Sequence, residues 1–231
     1  MDHGMDHGMD HGMDHGMDHG GGEHDHPAAD GEERAALTAD GYVENGQAGT
    51  WDYVGPPSSS AAPLDGPTLV RLAEEAVATN GWLTLEGARR GGFSQPSKVV
   101  DPLHWWNVDF VNDGVLGDIT KPESLVYDPM TGRLLGVMLM MPVGQHGPLI
   151  TGVDPADGRW HVHPGASCYG PDLIIPMSSP DDGTCPDGMT LEQRSGEMIH
   201  VWFVGEKRFT SKMPDMAADA LDEANARPAN K

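Results

Sequence analysis

The stretch Arg159-Trp160-His161-Val162-His163 sets two imidazoles two residues apart. In a strand, alternate side chains share a face, so His161 and His163 point one way and Trp160 and Val162 the other. A second stretch, Glu197 to Phe203, carries His200 between Met198 and Trp202, and a neighbouring strand of this kind can add a third imidazole. His104 or the thioether of Met198 is the expected fourth ligand. Imidazole and thioether donors suit copper, with zinc or nickel as the other candidates. Of the 12 histidines in the chain, seven fall in the first 26 residues, and three of the remaining five lie in these two stretches. Strand histidines are also common as surface residues or hydrogen-bonded core residues, so it is their concentration that points to a metal.

The N-terminus carries further ligands. Met-Asp-His-Gly repeats five times from Met1 to Gly20, placing His3, His7, His11, His15 and His19, and Glu23-His24-Asp25-His26 follows a glycine run. A four-residue period matches no stacking repeat, and the segment has no apolar residues to bury beyond methionine, so disorder is expected. Its chemistry is the repeated feature. Thioethers prefer Cu(I) while imidazoles take Cu(II), Zn(II) and Ni(II), so this arm can hold copper in either oxidation state. With a free amine on Met1, His3 stands third and can complete a square-planar Cu(II) or Ni(II) site. A merely solubilising tract is the competing reading. In composition the arm resembles the Met- and His-rich segments of bacterial periplasmic copper-resistance proteins.

Composition bounds the rest. A net charge of -22 over 231 residues argues against nucleic acid and against anionic membranes, both of which require Lys and Arg. No run approaches the roughly 20 apolar residues of a membrane span. No export signal is legible, since the start lacks a basic region and an apolar core. A chain opening directly on a repeat is nonetheless expected to be a mature or trimmed form. Cys168 and Cys185 bracket a Pro, Gly and Asp-rich segment. A disulfide there would hold a loose loop and would favour an oxidising compartment, with free thiols or zinc ligation as the alternatives.

These ligands need a scaffold. The 31 glycines and 19 prolines fit a loop-rich β protein. Residues 1–62 are read as arm and linker, with a helical turn or two at Glu32–Ala39 and aromatics at Gly41–Val43 and Thr50–Val54 that dock on the body; 63–213 are read as the folded body and 214–231 as a flexible tail. Asp65-Gly66-Pro67 starts a helix with an apolar face at Leu69, Val70, Leu72, Ala73, Ala76 and Val77, and Thr84 to Arg90 is a second short helix. Strands are expected at Leu103–Val111, Ser124–Tyr127, Arg133–Met141, Leu149–Val153, Arg159–His163, Asp172–Pro176 and Glu197–Val204. Met138, Met140 and Met141 are read as core filling. The fold class is mainly β (α+β), an antiparallel sandwich or small barrel with one or two N-terminal helices.

Taken in order, Pro122-Glu123-Ser124-Leu125-Val126-Tyr127, Gly132 to Met138, Trp160-His161-Val162-His163 with Cys168, Cys185-Pro186 and Met198-Ile199-His200-Val201-Trp202 resemble an uncharacterised family of bacterial extracytoplasmic proteins. The resemblance implies a secreted or surface-held protein with His161, His163, His200 and His104 grouped and Cys168 paired with Cys185. It brings no reaction with it. The expected function is extracytoplasmic copper binding for sequestration or delivery. The alternative is a metal-dependent enzyme on a cupin-like barrel, weakened by the absence of a glutamate after His163.

Overall fold

The structure, a computed structural model, describes residues 31–47, 49–58, 61–95, 103–171, 176–178, 184–211 and 213–214. The chain begins with α1 (Gly31–Ala39), β1 (Tyr42–Glu44), β2 (Trp51–Tyr53), β3 (Leu64–Asp65), α2 (Gly66–Thr79) and α3 (Leu85–Arg90). It continues with β4 (His104–Trp106), α4 (Val108–Val111), β5 (Ser124–Tyr127), β6 (Leu134–Met140), β7 (Ile150–Thr151) and β8 (His161–Val162). β9 (Pro164–Tyr169), β10 (Pro176–Ser178), β11 (Thr190–Arg194) and β12 (Met198–Trp202) complete it. Seven strands form an antiparallel sheet in the order β1-β2-β8-β12-β6-β5-β4. A three-stranded antiparallel sheet, β10-β9-β11, stands beside it, and β3 pairs with β7 in parallel. The mainly β, α+β class is as expected.

The two faces of the large sheet do different work. Leu125, Val137, Leu139, Ile199 and Val201 pack under Leu69, Ala73, Ala76 and Val77 of α2. That helix starts where the sequence requires: the Asp65 carboxylate accepts a bond from the Thr68 N–H and Pro67 occupies the first turn, where a missing N–H costs nothing. The opposite face carries Trp106, Val126, Met138, Met140, Met198 and Trp202. It also carries the histidines. Met138 and Met140 fill this core and Met141 fills the other, all three buried.

Three expectations need correction. The segment 31–53, read as linker with a helical turn and docking aromatics, is a folded part of the body: the turn is the helix α1, the aromatics lie on two paired strands, and Leu37, Tyr42, Trp51 and Val162 form a small core of their own. Aromatic burial replaces the missing aliphatic signal. The expected strand Leu103–Val111 stops at Trp106, because the Asn107 side chain accepts the Asp109 and Phe110 N–H groups and turns the chain into α4. Arg159–His163 shortens to β8, since His163 already leads into the second sheet. Met1 to Asp30, with its seven histidines, Asp172–Ile175 and everything after Pro214 lie outside the described residues.

Asn107 is 2 % exposed and also donates from Nδ2 to the Gly91 carbonyl, so it joins α3, β4 and α4. Asn107→Ala is therefore expected to lose about 1–3 kcal/mol through an empty cap and an unpartnered carbonyl. Urea unfolding would measure it. A loss under about 0.5 kcal/mol would show that Asn107 does not hold β4 in place.

Candidate metal centre

Register sets which side chains meet. In the row His200, Met138, Ser124 and Trp106, each residue directly opposes the next across β12, β6, β5 and β4. The next row is Trp202, Gly136, Val126 and His104, so His104 and His200 share a face. Three strand spacings separate them, about 14 Å along a flat sheet. Their Nε2 atoms nevertheless stand 3.2 Å apart, so the sheet curls toward this face. Gly136 favours the close approach, because a Cβ there would lie 2.7 Å from the Val201 carbonyl and 3.2 Å from the Trp202 ring. The Trp202 ring in turn stacks on His200 at 4.7 Å between centres.

On the other side of β12, His161 opposes Met198. Its ring stacks on His200 with centres 5.2 Å apart and meets His163 edge-on at 5.4 Å. All four imidazoles expected to cluster, His104, His161, His163 and His200, are thus brought together. Met198 is buried in the same face beside them. Among the described residues no three His, Cys, Asp or Glu side chains already stand in coordination geometry. The rings are neighbours rather than a closed shell.

Two local features bear on what the cluster can hold. His161 is 1 % exposed, and neither Nδ1 nor Nε2 has a hydrogen-bond partner. Burial first, then the neighbouring His163 and His104, holds its pKa well below the ordinary histidine range, so the ring is neutral. A neutral imidazole offers a lone pair, and leaving its polar atoms without partners costs about 1–3 kcal/mol each. His163 Nδ1 lies 2.8 Å from the Gly49 carbonyl, which can only accept, so Nδ1 carries a proton and, in the neutral ring, Nε2 is left as the lone-pair donor. A carbonyl fixing the tautomer in this way is typical support for a metal-ligating histidine. The Ser195 hydroxyl accepts from the His163 backbone N–H at 2.8 Å and steadies the same residue.

Cys168 and Cys185 form a disulfide, and no cysteine among the described residues is free. Neither is therefore a zinc ligand here. The bond ties β9, which begins one residue after His163, to the loop that leads into β11.

A second polar cluster carries no local signal in the sequence. The Glu197 carboxylate, 1 % exposed, accepts from the Tyr42 hydroxyl at 2.9 Å and the Gly147 N–H at 2.8 Å, and lies 2.9 Å from His146 Nδ1. The His146 ring stacks on Tyr53 with centres 4.1 Å apart. Burial, followed by the Glu197 charge, pushes the Tyr42 hydroxyl pKa up, so it remains a donor. This clamp joins the β1–β2 hairpin to the start of β12 and belongs to the fold. No spacing rule could have paired residues 42, 146 and 197.

Fold and site together define a mainly antiparallel α+β body with a partly buried group of imidazoles, preceded in the sequence by a His-rich segment. No protein-family model, curated protein or solved structure matches the chain. Among the described residues, no helix is long and apolar enough to cross a membrane.

Proposed function

We propose that this is an extracytoplasmic transition-metal binding protein, for copper above all, that sequesters or delivers its ion. The folded body holds one ion among His104, His161, His163 and His200, and the Met-Asp-His-Gly leader captures others. One observation carries the reading: His161 sits fully buried, neutral and without a hydrogen-bond partner on either ring nitrogen, in the middle of three more imidazoles. Burying polar atoms without partners is costly, and metal coordination relieves that cost. The 3.2 Å between His104 Nε2 and His200 Nε2 also suits a shared ion, because two nitrogens about 2.0 Å from one tetrahedral metal lie about 3.3 Å apart. The disulfide supports placement in an oxidising compartment.

The test is copper titration of the full-length chain, followed by absorption and paramagnetic resonance, against a variant with His161, His163 and His200 all replaced by alanine. The parent is expected to bind one ion more per chain than the variant. Its affinity is expected to fall as the solution is acidified, because a ligating imidazole must be free of the proton that competes for its lone pair. Equal stoichiometry in the two chains would leave metal binding to the leader alone.

A further inference from the structure

We infer that Asp52 fixes the charge of this site, so that the body prefers copper as the dication Cu(II) over Cu(I). The inference rests on the metal reading above and adds the oxidation state. Asp52 opposes His161 directly, in a row that runs Val43, Asp52, His161, Met198 across β1, β2, β8 and β12. Directly opposed residues share a face with Cβ atoms about 4.5–5.5 Å apart, so Asp52 and His161 are cross-strand neighbours on that face.

Asp52 is also the one aspartate among the buried residues described, at 5 % exposed. Its hydrogen bond comes from a neutral amide, Asn45 Nδ2 at 3.1 Å, which is itself shared with the Ser211 hydroxyl. Among the described residues, none of the Lys or Arg ion pairs includes Asp52. A carboxylate held out of water needs a compensating positive charge, and an amide supplies little. An ion seated on His161 supplies that charge.

Neutral imidazoles bring no charge that would favour either copper state, whereas a neighbouring buried anion favours the higher charge. The open side of the row fits the same role. Val43, two strands out from His161, is 40 % exposed, so the acid lies between the buried ring and solvent.

The test uses the full-length chain with the histidines and methionines of residues 1–26 replaced by glutamine and leucine, so that copper reports on the body. Cu(II) and Cu(I) affinities are measured by ligand competition. Asp52→Asn is expected to weaken Cu(II) about tenfold and Cu(I) by about the square root of that, roughly threefold, because one nearby charge acts on each ion in proportion to that ion's own charge. The reduction potential of bound copper then rises by about 59 mV per tenfold of the difference. Asp52→Glu keeps the charge and is expected to keep the preference. Equal losses for both ions in Asp52→Asn, or no loss, would overturn the inference, as would a glutamate variant that behaves like the asparagine one. His161→Leu separates the two levels of claim: if it binds copper as well as its parent, the body site itself fails.

Discussion

His161→Leu is expected to make the metal-free protein more stable while it removes an ion from the body. Core positions normally punish substitution, and here the sign reverses. The native ring buries two nitrogens without partners, and leucine fills a similar volume with no polar atom to desolvate. A gain of about 1–3 kcal/mol follows, read as a higher urea midpoint in chelator-treated protein. Adding copper should reverse the order, because only the parent gains binding energy on folding. If leucine destabilises the metal-free chain and leaves its copper stoichiometry untouched, His161 is a packing residue and the proposed centre is lost.

Glu123→Gln is expected to flatten the alkaline half of the stability profile. The Glu123 side chain is 1 % exposed, accepts the Met140 N–H at 3.2 Å, and burial pushes its pKa up to about 8 from 4.5. A carboxyl that holds its proton more tightly when folded stabilises the fold fully below about pH 4.5. That stabilisation disappears as pH climbs through about 8. The span amounts to roughly 4–5 kcal/mol at 1.36 kcal/mol per pH unit. Glutamine keeps an acceptor for Met140 and cannot ionise. Parent and variant should therefore unfold at similar urea concentrations at pH 5, and the variant should be clearly more stable at pH 9. Parallel profiles over that range would show that Glu123 is ionised in the fold.

The period-two pattern of the chain is legible at the histidines. His161 with His163 and Met198 with His200 follow from alternation alone, and β5 and β6 pair through the Asp128 turn as their residues suggest. It failed where the signal lies in pairing rather than in local pattern. β1 and β2 are three residues each and are anchored by Tyr42 and Trp51, so no aliphatic run announces them. Asp52 reads as one acidic residue among many until register sets it opposite His161. Glu123 and Glu197 likewise look solvated in a chain of this charge, and only the folded chain reveals them as buried. Asn107 ended a strand that hydrophobic alternation would have continued through Phe110.

The hairpin of β1 and β2 has one more consequence. Through Gly49 it grips His163, and through Trp51 and Asp52 it occupies the free margin of β8. Removing the chain up to a point between Val54 and Leu64 would thus do more than take away a leader. It would bare a row of unpaired amides and carbonyls along β8, a template on which other chains can dock, and the remnant would tend toward self-association.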